Sequence, residues 1–212
     1  MIKEFFEEMD RFRKWMSPPM EEKLLEEREQ QLGICFPKHM KDFYEHFGND
    51  KRAMQRSYYV MHPLQNIALE EGYLCIGYTS DYNGKVGFKI KELNEDFPAV
   101  YIQKRGSKTW EMHDDIDTFF LKNALKAVMD TMGAQEAKAV DLKLLDEHMP
   151  TDIHYMCDDE VFLTGNTVPV ISDKYLGYLD KNRWLHLAAQ NQEDVLKFLL
   201  DIMHVEKYRI GK

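Results

Sequence analysis

Cysteine is scarce in this sequence, with three among 212 residues. Cys35, Cys75 and Cys157 are too few and too far apart to form a disulfide framework or a zinc cluster. Each stands among apolar or aromatic neighbours, which predicts a buried thiol. A nucleophilic Cys–His pair stays open as an alternative, because such partners meet only in the folded chain.

Long apolar runs and an excess of basic residues are also lacking. No uncharged apolar stretch approaches the roughly 18 residues of a membrane span, and the charged N-terminus lacks the apolar region of a signal peptide. We therefore expect a cytoplasmic protein. The formal net charge is −9, from 37 acidic and 28 basic residues. That balance predicts no direct nucleic-acid binding. It favours a basic protein partner, although a mildly acidic surface also serves solubility alone.

Glycine-rich phosphate loops are missing, because Gly77, Gly84 and Gly87 fall in predicted strands and a turn and not before a helix. Two groups of residues could supply metal ligands. The first is His113 with the acidic residues that follow it, and the second is His148, His154 and Cys157. A charged helix start explains the first group better, and the second lacks paired-ligand spacing. We expect no metal and no cofactor.

Apolar residues at helical spacing open the chain. They predict helices over residues 2–15, 21–32 and 37–47, with Ser17 as an N-cap and Gly33 ending the second helix in a left-handed conformation. Gly48 is expected to close the third helix.

From about residue 58 the apolar period changes to two, which predicts strands. The Asn83-Gly84 pair is a strong hairpin turn signal. Successive strands with tight turns favour an antiparallel sheet, and a helix over residues 114–132 follows it. The predicted strands are residues 58–62, 72–79, 86–91, 99–103 and 109–113.

The last 80 residues give a weaker pattern. Residues 180–204 resemble a single ankyrin-type helix pair, although one such unit cannot bury its own apolar face. We predict a helix over residues 134–148, short strands at 153–156, 161–163 and 167–171, and one or two helices over 184–204.

The order of motifs in residues 15–132 resembles the SUKH superfamily, which includes the fungal Smi/Knr-type cell-wall regulators. A glutamate-rich helix leads to Leu32-Gly33, an apolar stretch and Pro37, and then to a helix that ends at Phe47-Gly48. A Val-Tyr strand at 100–101, a strand with Trp110 and a closing helix at 117–120 complete the likeness.

The resemblance implies an α+β fold with an antiparallel twisted sheet, N-terminal helices and a closing helix. To this we add a mostly helical C-terminal extension. The predicted domains are residues 1–132 and an α+β extension, residues 133–212, packed on the first. The resemblance also implies protein binding, and it brings no catalytic residues.

Two exposed turns and one helix start supply candidate binding residues. An aromatic flanked by polar residues is typical of interface anchors, and acidic loops suit basic partners, although ordinary exposed turns explain both. The candidates are Asp81, Tyr82 and Asn83 at a hairpin tip; Asp114, Asp115 and Asp117 at a helix start; and Asp158, Asp159 and Glu160 in an acidic loop.

These features favour a binding protein over an enzyme. The leading hypothesis is an immunity protein that neutralises a cognate toxin, for example a nuclease, by stoichiometric binding of a basic toxin domain. A regulatory scaffold of the Smi/Knr type and a hydrolase are the alternatives, and the oligomeric state stays open.

Overall fold

The computed structural model describes residues 2–55, 59–132, 135–138, 154–155, 168–171, 174–179 and 184–203. The contacts divide the chain into two compact units. Ile2–Ala127 form one unit, and Val128–Lys212 with Met1 form the other. Helices and antiparallel sheets occur together, which confirms the predicted α+β class.

The first unit opens with helices. The three predicted helical segments are confirmed, and a short fourth helix was not predicted. The helices are α1 (Ile2–Met9), continued by a 3-10 segment (Asp10–Trp15), then α2 (Glu22–Leu32), α3 (Lys38–Phe47) and α4 (Lys51–Gln55).

The prediction that Ser17 caps the second helix is wrong. Residues 18–20 separate it from α2, and Glu21 occupies the N-cap position without a side-chain cap. The backbone N–H of Ser17 donates instead to the carboxylate of Asp50, at 2.9 Å. The prediction for Gly33 is confirmed, because it ends α2 with a φ of +68°. Gly48 closes α3 at a crowded point, where a Cβ would lie 2.5 Å from the carbonyl oxygen of Tyr44.

Aromatic side chains join the helices of this unit to one another. Phe43 of α3 stacks on Phe120 with ring centroids 4.7 Å apart, and Phe6 of α1 meets Phe47 edge-on at 5.1 Å. The buried Tyr44 hydroxyl donates to the His62 carbonyl at 2.8 Å, and burial raises the pKa of Tyr44. Rings of this size dominate core energetics, so α3 is held both to α1 and to the later helix that carries Phe120.

The predicted five strands are confirmed with shifted ends, and a short sixth strand was missed. They form one antiparallel sheet in the order β1-β3-β4-β5-β6, with β2 paired to β3. Residues 90–91, predicted as strand, lie in a 3-10 turn (Ile90–Glu92). The strands are β1 (Tyr59–Met61), β2 (Ala68–Glu70), β3 (Tyr73–Thr79), β4 (Gly84–Lys89), β5 (Ala99–Lys104) and β6 (Glu111–Asp115).

The closing helix is α5 (Ile116–Met132), which begins two residues later than predicted because residues 114 and 115 belong to β6. The division between the two units falls within α5, after Ala127. Among the described residues, no helix has both the length and the apolar character that a membrane span needs.

The second unit contains more strand than predicted. The helix predicted over residues 134–148 is wrong where the structure describes it, because residues 135–138 form a strand. The strands are β7 (Gln135–Lys138), β8 (His154–Tyr155), β9 (Val168–Ile171), β10 (Tyr175–Leu179) and β11 (Trp184–Ala189), in the antiparallel order β7-β11-β10-β9-β8.

The ankyrin-type helix pair is also wrong. Its first half is β11, which lies between β10 and β7 and buries Leu185 and Leu187. Its second half is a helix, α6 (Gln192–Met203). The described part of the extension is therefore not mostly helical. The strand predicted at 161–163 lies outside the described residues, and the packing of the extension on the first unit stays a prediction.

The Asp50 carboxylate holds the start of α4 and the chain before α2 together. It accepts hydrogen bonds from the N–H groups of Ser17 at 2.9 Å, Arg52 at 2.9 Å and Ala53 at 3.3 Å. Burial alone would raise the pKa of Asp50, but bonds from the Arg52 side chain and these N–H groups outweigh it and hold the pKa below its usual value.

We expect Asp50→Ala to lower the free energy of unfolding by roughly 1–3 kcal/mol at pH 7, because an N-cap and a buried acceptor are lost together. Since the folded pKa is depressed, this stability is present above the unfolded value of about 3.9 and lost as pH falls through the folded pKa. Urea unfolding at pH 7 and pH 3 measures both effects. Asp96→Ala, at an exposed position, is the control. An equal loss at the two pH values would contradict the assignment.

Candidate functional site

Two turns of the first sheet lie side by side and are bonded to each other. Residues 80–83 join β3 to β4, and residues 105–110 join β5 to β6. Gly84 pairs with Lys104 in the β4–β5 ladder, and just beyond it the Arg105 N–H donates to the Asn83 carbonyl at 2.6 Å. We call Asp81, Tyr82, Asn83, Lys104 and Arg105 the paired-turn surface.

Asp81 closes the first turn with its own side chain. One carboxylate oxygen accepts from the Thr79 hydroxyl at 2.6 Å and from the Asn83 N–H at 3.0 Å, and the other accepts from the Asn83 side-chain amide at 3.0 Å. These bonds, the Thr79 hydroxyl first, lower the pKa of Asp81 to about 2. Its carboxylate thus supports the turn, and both oxygens are engaged within it.

Tyr82 is displayed at the tip of this turn. Its side chain is 63% exposed, and its N–H donates to the Thr79 carbonyl at 2.8 Å. Its φ is +55°, a left-handed conformation that costs a non-glycine residue on the order of 1 kcal/mol. The turn therefore holds a large aromatic in an exposed and strained position.

A cleft of about 840 Å³ adjoins the paired-turn surface. Tyr59 of β1 and His113 of β6 share a hydrogen bond between the Tyr59 hydroxyl and the His113 Nε2. Because these strands are opposite ends of the order β1-β3-β4-β5-β6, the sheet must curl for the bond to form. The other lining residues are Thr79, Ser80, Asp81, Asn83, Gly84, Ile102, Lys104, Arg105, Glu111 and Met112, so the cleft holds two carboxylates as well as two cations.

His113 forms part of the wall of the cleft. Its ring meets the Tyr59 ring edge-on at 5.7 Å. Partial burial lowers the pKa of His113 below its usual value, although the nearby Asp114 opposes the shift. Because burial disfavours the charged imidazolium, the ring contributes chiefly an aromatic surface to the cleft.

The three acidic candidates at the start of α5 make contacts within the fold. Asp114 pairs with Lys122 at 3.0 Å, and Asp115 caps α5 by accepting from the Thr118 N–H at 2.8 Å. Asp117 pairs with His39 of α3. These carboxylates anchor α5 and are not among the residues that line the cleft.

The acidic loop of Asp158, Asp159 and Glu160 lies outside the described residues, as do His148 and Cys157. Within the described ranges, no group of three or more His, Cys, Asp and Glu side chains is placed to hold a metal ion.

The cysteines differ from one another. Cys35 is exposed, so its predicted burial is wrong; Phe36 beside it turns inward instead. Cys75 is buried as predicted. Burial first, and then the neighbouring Glu70 carboxylate, raise the pKa of Cys75 to about 12. A thiol that stays protonated at neutral pH is the opposite of an activated nucleophile.

The interpretation of the sequence missed Lys104, Arg105 and the Tyr59–His113 contact. The signal for the first two was available, since the predicted strands 99–103 and 109–113 leave a short turn between them. Alternate connections of an antiparallel meander lie at the same end of the sheet, so the turns after β3 and β5 had to be neighbours. The Tyr59–His113 contact depends on the curl of the whole sheet and has no local signal.

Comparison of the chain with protein-family models, with curated proteins and with solved structures finds no match. The resemblance to the SUKH superfamily therefore stays a prediction from the sequence.

We expect Tyr82→Gly to raise the free energy of unfolding by about 0.5–1 kcal/mol, because glycine adopts a positive φ without strain. Glu71, with a φ of +49° in the turn between β2 and β3, provides a matched variant, Glu71→Gly. Urea unfolding of both variants measures the gain. A loss of stability in Tyr82→Gly beside a gain in Glu71→Gly would show that the Tyr82 side chain holds the turn together.

Proposed function

We propose that this chain is a protein-binding module of the immunity type, which neutralises a cognate toxin by forming a one-to-one complex. The observation that carries the proposal is the paired-turn surface. It presents an exposed tyrosine and an exposed arginine on two turns bonded to each other, beside a concave cleft. The proposed action is occupation of the toxin surface, without a chemical step.

The composition of this surface suits protein recognition. Tyrosine, arginine and methionine are enriched in protein interfaces, and tyrosine and arginine supply many of the residues that dominate binding energy. Tyr82, at the tip of the first turn, is 63% exposed, and Met112, which lines the cleft, is 69% exposed. The cleft is open and flanked by both turns, so a loop projecting from a partner fits it.

The turns are also closed by hydrogen bonds within the fold. Asp81 closes the first turn with three hydrogen bonds, and the Asn83–Arg105 bond fixes the second turn against it. Binding through residues that are already ordered loses less conformational entropy, which raises affinity without further contacts.

Two properties of the sequence support the immunity type in particular. The motif order of residues 15–132 resembles a superfamily with many immunity proteins. The net charge of −9 attracts a basic toxin domain over long range and speeds the encounter. A nuclease domain, which binds phosphates, is a partner of this kind.

The test is co-expression with the toxin domain encoded beside the gene for this chain, in cells that the toxin kills. We expect restored growth and a one-to-one complex, measured by light scattering after size-exclusion chromatography. A chromosome without a neighbouring toxin gene, or a toxin that kills despite abundant protein, would count against the proposal.

We expect Tyr82→Gly to weaken this complex about 30-fold, because truncating an aromatic anchor costs ~2 kcal/mol or more. Glu71→Gly relieves the same backbone strain at a turn that does not line the cleft, so its Kd should stay within about twofold of the unmodified protein. Isothermal titration calorimetry compares the two. Equal affinities of the two variants for the toxin would show that Tyr82 is not part of the binding surface.

A further inference from the structure

The charges that remain available on the paired-turn surface differ from the acidic charges expected from the sequence. Both carboxylate oxygens of Asp81 are engaged by Thr79 and Asn83. The Arg105 side chain, in contrast, is exposed and makes no hydrogen bond or ion pair with another described residue. Asp81 keeps its negative charge, because its donors are neutral, but its oxygens are turned to partners within the turn, whereas the guanidinium of Arg105 is available to a binding partner.

Lys104 adds a second cation that is only weakly held. Its ammonium lies 3.3 Å from the Glu111 carboxylate, with the two side chains 73% and 66% exposed. Exposed pairs of this kind contribute little, because water and salt screen them. A carboxylate from a partner can therefore compete with Glu111 for Lys104.

The backbone that carries these cations is fixed. Lys104 pairs with Gly84 at the end of the β4–β5 ladder, and the Arg105 N–H bonds to Asn83. The next turn is closed by the Ser107 N–H, which donates to the Lys104 carbonyl at 2.9 Å. Gly106, with a φ of +82°, supplies the left-handed conformation that this turn requires.

We infer that the paired-turn surface binds a carboxylate side chain of the partner protein, with Arg105 as the recognising cation and Lys104 as its support. This inference rests on the proposed function and names the chemistry of its site. A guanidinium binds a carboxylate through two parallel hydrogen bonds, which fixes direction as well as charge. Ile102 and Met112, which line the cleft, then contact the apolar neighbours of that carboxylate.

The inference is compatible with a basic partner. The net charge of −9 attracts such a partner as a whole. A carboxylate on the partner is repelled by most of this acidic surface and is attracted only beside Arg105. It therefore fixes how the two proteins are aligned in the complex.

The first test needs no toxin. The full-length chain, labelled with 15N, is titrated with the blocked peptide acetyl-Gly-Asp-Ile-Glu-Gly-amide, and then with the same peptide carrying lysine at both acidic positions. We expect saturable shifts at the Asn83 and Arg105 amides with the acidic peptide and none with the lysine peptide. Shifts with the lysine peptide, or with neither peptide, would overturn the inference.

The second test uses charge reversal in the toxin complex. Arg105→Glu should raise the Kd at least 30-fold. Lys23→Glu makes the same change in net charge on α2, at a side chain that is 76% exposed, and should raise it less than threefold. Reversing the partner carboxylate to lysine should restore binding to Arg105→Glu. Equal effects of the two substitutions would show that only long-range charge matters.

The two proposals fail in different ways. The carboxylate inference is overturned if the unmodified chain does not bind the acidic peptide and the Arg105→Glu variant binds the toxin normally. The immunity function would then still stand. Peptide shifts at Arg105 without any toxin complex overturn the immunity function and leave the carboxylate site.

Discussion

The first unit depends on one constraint: one face of its sheet must be covered by the helices. Leu74, Val86, Phe88 and Val100 alternate onto that face through the strand registers, and all are fully buried. Phe120 of α5 lies 6.3 Å from Phe88, ring to ring, and Phe43 of α3 stacks behind it. Further along the same face, Ile102 is only half-buried and Lys104 is exposed. The cleft is therefore the uncovered end of the core face, which explains why apolar and charged residues meet there.

The uncovered end keeps its shape through short-range bonds, since it has no packed core beneath it. The Tyr59–His113 bond joins the sheet edges, the Asn83–Arg105 bond joins the turns, and Asp81 closes its own turn. These interactions hold Tyr82 at a positive φ against its backbone preference. Strain of this kind persists only where the surroundings over-determine the conformation, and it clusters at functional sites. The positive φ of Tyr82, which residues other than glycine rarely adopt, thus points to the same surface as the cleft does.

The sequence predicts the helices and strands that are long and periodic. Prediction fails where pairing with strands distant in the sequence determines the secondary structure. The three N-terminal helical segments, five strands and α5 followed from apolar spacing. The five-residue α4 is shorter than two helical turns and is too short to show a period. Trp184–Ala189 carries good helix formers, yet it pairs with β10 and β7, and Tyr178 stacks on His186 with centroids 4.3 Å apart. Sheet pairing overrides helix propensity there, because strand preference reflects packing against neighbours more than the backbone itself.

The same distinction separates the candidate site from its prediction. The hairpin tip was recognised from Asn83-Gly84, and the structure places Tyr82 exposed upon it. Which charged groups the site offers to a partner could not be read in this way, because that depends on the ion pairs and hydrogen bonds that each group makes within the fold. Asp114, Asp115 and Asp117 look like an acidic patch in the sequence, but Lys122, a helix N-terminus and His39 engage them. Arg105 looks like one residue of an ordinary turn. Its significance comes from the strand register that sets it beside Asn83 and leaves its guanidinium directed to no described partner.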